Sequence, residues 1–191
     1  MVRPHVVVIT TVAAAHLEFF KSVTEIAEAK AEIFLGLEPG GTAVLNADHD
    51  YLHVLFAKAR EAGIDDIVTY GYDADADYRI ASVESTRGRT FARVLHGREA
   101  IDLDLAIRGK HMVANAAAAL AVARLAEVGD ELIRYGLANF SAPEGRGETT
   151  RLGPAANPLL LVDESYNANV ASMNAAMEVF STVTPVGQKI L

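Results

Sequence analysis

The chain has 191 residues, 51% of them hydrophobic and 22% charged, with a formal net charge of -8 at pH 7. That balance belongs to a folded globular protein of one ordinary domain, or of a domain with part of another, and excludes a disordered chain. The acidic balance removes the basic face that phosphate-backbone binding needs, so nucleic acid is not an expected partner, and the lack of cysteine removes disulfides, thiolate metal sites and cysteine nucleophiles together.

Residues 5–10 read as a buried strand, because Val6, Val7, Val8 and Ile9 form a β-branched run without polar alternation, as in a sheet covered on both faces. The run is too short for a membrane span and is not flanked like a signal peptide, so a cytoplasmic protein with no membrane partner is expected. A strand this close to Met1, without a lead-in segment, suggests a start inside a domain. A helix is expected over residues 22–37, with Ser22 as N-cap and Glu25 completing a capping box, and with Ile26, Ala29, Ile33 and Leu37 as its apolar stripe. Pro39-Gly40-Gly41 ends it, and a strand (42–46), a helix (48–62) and a strand (66–70) follow. Alternation of strand and helix implies right-handed crossovers and a largely parallel sheet.

Residues 79–86, 89–95 and 100–107 are shorter alternating segments separated by glycine-containing turns, the pattern of an antiparallel meander. An alanine-rich helix (111–128) and a shorter helix (130–140) come next, then a proline- and glycine-rich stretch (141–158) that reads as a linker. A buried strand (159–162) and a helix (171–182) close the chain; a lone strand and helix make no core, which suggests that a second domain begins here.

The residues able to carry chemistry lie at intervals along this frame. His16 follows the first strand, where ligands collect in open α/β sheets, and a neutral imidazole there can bind a metal or phosphate; a helix-capping histidine is the plainer reading. Lys30 is ordinarily a solvated charge, but partial burial would lower its pKa, and a neutral amine can take up carbon dioxide to give a carbamate, an oxygen ligand suited to Mg²⁺. Asn115, near the start of the alanine-rich helix, can donate to and accept from a purine edge, or simply cap the helix. Arg146, between two glycines, offers a planar fork to phosphate or a solubilising charge to water. Asp163 ends the last strand, and Tyr166 and Asn167 occupy the turn after it, a place that Ser and Asn favour in any case. His49 and His53 have i, i+4 spacing on an expected helix but lack a third ligand, so they read as a surface pair.

Taken together, Ala13-Ala14-Ala15-His16-Leu17-Glu18 with Lys30, Gly109-Lys110-His111-Met112-Val113-Ala114-Asn115, Pro143-Glu144-Gly145-Arg146-Gly147 and Asp163-Glu164-Ser165-Tyr166-Asn167 resemble, in order, motifs of the Mur ligase family. The resemblance is strongest to the branch that adds D-alanyl-D-alanine to UDP-N-acetylmuramoyl-tripeptide in peptidoglycan synthesis. It implies an ATP-dependent ligase in which His16 and a carbamoylated Lys30 hold Mg²⁺ at the catalytic centre. It further implies that Asn115, Tyr166 and Asn167 lie against the nucleotide, Arg146 against the ATP phosphates and Asp163 against the ribose. Met112 departs from the family, which often has asparagine there.

The implied fold is α/β: a mostly parallel sheet with flanking helices plus a small antiparallel meander, followed by the first strand and helix of a Rossmann-like domain. Residues 1–140 would be the remainder of the central ATP-binding domain, 141–157 the interdomain linker and 158–191 the beginning of the C-terminal domain. The phosphate-loop pattern Gly-x-x-x-x-Gly-Lys-Ser/Thr does not occur in the 191 residues, and the family carries it upstream of the first strand seen here. The polypeptide alone is therefore expected to be inactive as a ligase. Two other readings stand beside this one: a non-catalytic nucleotide-binding or interaction module, and another Mur-type ligase such as a polyglutamate-adding enzyme.

Overall fold

The computed structural model describes residues 3–14, 20–86, 89–106, 109–156, 158–166, 170–182, 187–188 and 190. The β-branched run forms β1 (Val6–Ile9), which pairs in parallel with β2 (Thr42–Asn46); β2 pairs in parallel with β3 (Ile67–Gly71), and β3 with β4 (Tyr78–Thr86). β5 (Arg89–His96) and β6 (Glu99–Leu105) then add antiparallel, so the expected meander is the far half of one six-stranded sheet in the order β1-β2-β3-β4-β5-β6.

Both faces of the parallel half are covered, which explains why its strands lack polar alternation. Val7, Ile9, Ala43 and Leu45 point to one side, where α1 (Val23–Ala31) and α2 (Leu52–Glu61) supply Ile26, Ala27, Ala31, Leu55 and Ala59. Val44 and Tyr70 point to the other side, toward α3 (Lys110–Leu125) and α4 (Asp130–Asn139). Ala114, Ala116, Ala117, Ala118 and Ala121 let α3 lie close on the sheet, while Val113 and Leu120, both fully buried, fill the gaps between strands. Arg124 ties this layer together: it donates to both carboxylate oxygens of Asp130 at 2.9 and 2.6 Å and to Glu99 at 2.8 Å.

Ser22 caps α1 by accepting from the Glu25 amide at 3.2 Å, as the capping box predicts, while the Glu25 carboxylate reaches back to the Lys21 amide at 2.7 Å. The helix is shorter than residues 22–37, however, because its end tightens into a 3-10 turn (Glu32–Gly36). That change of pitch turns Phe34 inward and leaves Ile33 44% exposed, so the buried stripe is Ile26, Ala27, Ala31 and Phe34 rather than the predicted one. The helix expected over 48–62 begins only at Leu52, since residues 48–51 form the turn that brings Asp48 back to β3.

One addition and one correction concern the end of the chain. The stretch expected as a linker contains β7 (Glu148–Leu152), which pairs antiparallel with β8 (Leu159–Asp163) in a separate two-stranded sheet. Its turn-rich composition reflects the loops on either side of that strand. β8 is also not buried as its apolar sequence predicts, since no layer among the described residues covers it: Leu159, Leu160, Leu161 and Val162 are 42–60% exposed. After it comes α5 (Val170–Thr182).

Candidate functional site

The parallel strands all end at one edge, and the backbone there is drawn together by side chains. The Thr10 carbonyl, just past β1, accepts from Asn46 Nδ2 at 2.7 Å and from the Tyr70 hydroxyl at 3.3 Å, so the ends of β1, β2 and β3 share one acceptor. Asp48 Oδ1 accepts from the amides of Tyr72 and Asp73 at 2.6 and 3.0 Å. The Tyr72 hydroxyl in turn donates to the Lys110 carbonyl at 3.1 Å, which fixes the first turn of α3 over the same edge. Burial and the neighbouring Asp48 carboxylate raise the Tyr72 phenol to about 12, so it remains a donor at neutral pH.

The start of α3 therefore lies beside the carboxyl edge, and the C-terminal segment meets it there. Lys110 Nζ is 3.1 Å from Glu178 Oε1 of α5. Gly109, with φ 101°, has no room for a Cβ, which would lie 2.8 Å from Val179 Cγ2 and from the His111 ring. His111 is held below its ordinary pKa by the covered part of its ring, against the opposing pull of Glu164 and Glu178. Asn115 is exposed one turn further along α3, on the face it shares with His111. Met112, where the family often has asparagine, is partly buried against the core and serves packing instead.

Arg146, Asp163 and Tyr166 are brought together by the β7–β8 hairpin. Residues 143–146 form a turn closed by the Arg146 amide donating to the Pro143 carbonyl at 3.1 Å, with Gly145 at φ 70° in the position that a type II turn reserves for glycine. The turn is fastened to the end of β8 by two backbone bonds, Gly147 N to Asp163 O at 2.8 Å and Tyr166 N to Gly145 O at 3.1 Å. The Arg146 guanidinium lies over the Tyr166 ring, 4.1 Å from its centroid. Asp163 is held below the usual carboxylate range by hydrogen bonds from the Ser165 hydroxyl and amide, the amide at 2.9 Å, so it is an anion with an acceptor oxygen to spare.

The residues expected to hold Mg²⁺ are His16 and Lys30. His16 and Asn167 lie outside the described residues. Lys30 is exposed in the last turn of α1. Among the described residues no group of three or more His, Asp or Glu side chains is arranged to hold a metal ion.

His49 also departs from its reading as a surface histidine on a helix. It precedes α2, both ring nitrogens are buried with no side-chain or backbone hydrogen-bond partner among the described residues, and that burial lowers its pKa. Sequence reasoning missed Asn46, Asp48 and Tyr72 altogether. The signal was the polar string Asn46-Ala47-Asp48 placed directly after a buried strand, which is where site residues gather in such sheets.

Residues 1–123 match the family model described as the Mur ligase middle domain. The chain is 36% identical over 185 residues to the UDP-N-acetylmuramoyl-tripeptide–D-alanyl-D-alanine ligase of Escherichia coli (strain K12), covering 95% of this chain and 39% of that one. The crystal structure of MurF from Acinetobacter baumannii superposes with a TM-score of 0.84 at 28% identity, over 95% of this chain and 38% of that one. MurF from Thermotoga maritima, solved in complex with ADP, superposes with a TM-score of 0.78 at 23% identity over 94% of this chain and 39% of that one, a likeness of fold. The chain thus spans about two fifths of the length of these relatives. No helix among the described residues is long and apolar enough to cross a membrane.

Proposed function

The chain belongs to the Mur ligase family of ATP-dependent amide-forming ligases, and on that premise we propose that it is the nucleotide-binding portion of an enzyme that adds D-alanyl-D-alanine to UDP-N-acetylmuramoyl-tripeptide. Residues 1–140 would be part of the central ATP-binding domain, 141–157 the connection, and 158–191 the opening of the C-terminal domain. The observation that carries the reading is the meeting of Arg146, Asp163 and Tyr166 in one fastened pair of turns, close to the start of the helix that bears Asn115.

Each residue has a task its chemistry suits. The Arg146 guanidinium offers a planar fork of N–H donors to phosphate oxygens. The ionised Asp163 accepts from ribose hydroxyls, and Asn115 pairs with a purine edge through its amide. The family reaction transfers the terminal phosphoryl group of ATP to a peptide carboxylate, and the incoming amine then displaces phosphate from the acyl phosphate. Arg146 offsets negative charge that grows during the first step. Lys30, carbamoylated, together with His16 would hold Mg²⁺ in the assembled enzyme. This polypeptide alone forms no amide, because its sequence contains no phosphate loop.

Calorimetric titration of the purified chain with ATP, with and without Mg²⁺, tests the reading. Saturable binding that Arg146→Ala and Asp163→Asn each weaken at least about fivefold is expected, from the ordinary strength of hydrogen bonds to charged groups. Absence of binding would leave a structural module. Phosphate release dependent on both UDP-N-acetylmuramoyl-tripeptide and D-alanyl-D-alanine would refute the inactivity of the isolated chain.

A further inference from the structure

We infer that Tyr166 is a positioning residue that acts through Arg146, so that the two side chains form a single phosphate-binding element; this rests on the nucleotide-binding reading above. The guanidinium sits 4.1 Å from the centre of the Tyr166 ring, within the distance at which the ring quadrupole attracts a cation. Such a stack covers one flat face of the guanidinium and leaves its edge, which carries the N–H donors, open. Among the described residues no carboxylate pairs with Arg146, whereas six of the nine other described arginines make an ion pair. Arg146 is thus oriented without being neutralised, as a site awaiting an anion requires.

The backbone supports the same conclusion. The Arg146 turn cannot drift from Tyr166, because the Tyr166 amide bonds to Gly145 and a Cβ on Gly145 would lie 3.0 Å from Tyr166 Cβ and N. A side chain on an exposed turn ordinarily spends its time among several rotamers, and ordering it on binding costs affinity. Here the ring has already done much of that ordering. Tyr166 would then contribute to phosphate affinity without touching the phosphate.

The test uses two probes on the whole chain: ATP, and inorganic tripolyphosphate, which has the phosphates and no base or sugar. Tyr166→Leu keeps bulk and removes the ring, whereas Tyr166→Phe keeps the ring and removes the hydroxyl. Tyr166→Leu is expected to weaken both probes by the same factor, about three- to fivefold for an exposed cation–π contact. Tyr166→Phe should leave both unchanged, and Tyr166→Leu should have no effect when added to Arg146→Ala. A loss confined to ATP would mean that the ring meets the base, and an undiminished loss in the Arg146→Ala background would mean that it does not act through the arginine; either result overturns the inference, as does full affinity in Tyr166→Leu. If Arg146→Ala alone changes neither probe, or the unsubstituted chain binds neither, the nucleotide reading fails along with it.

Discussion

Gly71 ends β3 with φ 147°, and a Cβ there would lie 2.5 Å from Asp48 Oδ1. The missing side chain is what lets the Asp48 carboxylate turn in and accept from the Tyr72 and Asp73 amides. Gly71→Ala should therefore combine backbone strain with loss of those bonds and cost about 2–4 kcal/mol of stability, measured by urea unfolding. An effect under about 0.5 kcal/mol would show that the turn relaxes freely. His49 makes a different kind of prediction. Its burial lowers its folded pKa below the ordinary 6.5, with Asp48 and Asp50 opposing, so the unfolded chain takes up the proton more readily. Its contribution to stability is fully present above pH 6.5 and declines as the pH falls from there toward the folded value, and His111, lowered in the same sense, adds to that decline. Melting temperature plotted against pH should be level above neutrality and fall on the acid side, less steeply in His49→Gln. An unchanged slope in that variant would remove His49 from the account.

At the scale of elements, α3 does the most to join fold and site. Its buried face packs against β1 to β5, its first turn receives the Tyr72 hydroxyl, and its exposed face carries Asn115. Leu120 is fully buried at its centre, so Leu120→Ala should cost about 3 kcal/mol in chemical denaturation, with little collapse available around a helix already lined by alanines. Ser22→Ala, which removes a single exposed cap, should cost only about 1 kcal/mol. The elements most legible in sequence were those whose local signal and tertiary setting agree: the β-branched run of β1, the Ser22 cap and the alanine-rich α3. The buried stripe of α1 was misread because periodicity assumes one pitch throughout, and the 3-10 turn at Glu32–Gly36 changes it. β7 was missed because Glu148-Thr149-Thr150-Arg151-Leu152 has neither a buried run nor a covered face, and its strand exists only through pairing with β8. The grouping of Arg146 with Tyr166 was legible as a pair of motifs but not as a stack, since spacing in sequence does not give the direction of a side chain.

For the molecule as a whole, the contrast lies between a sheet layered on both faces and a hairpin with an apolar strand left open. β2 has three residues with no exposed surface, Ala43, Val44 and Leu45, whereas every apolar residue of β8 is at least 42% exposed. Backbone hydrogen bonds in the first setting break only when the core opens, while those of a two-stranded sheet can break with little loss of buried area. The proposed nucleotide site is divided along the same line: Asn115 rides on the layered part, and Arg146, Asp163 and Tyr166 on the hairpin. Hydrogen exchange read by mass spectrometry should accordingly show peptides spanning β7 and β8 exchanging at least about a hundredfold faster than those spanning β2 and β3, the ratio expected for opening free energies some 3 kcal/mol apart. Saturating ATP should slow the hairpin selectively, because a ligand held by Arg146 and Asp163 on one side and Asn115 on the other stabilises the joined state over the open one. Equal protection of both regions without nucleotide would mean that the hairpin already belongs to the core's cooperative unit, and protection by ATP of β2 and β3 alone would detach the hairpin residues from nucleotide binding.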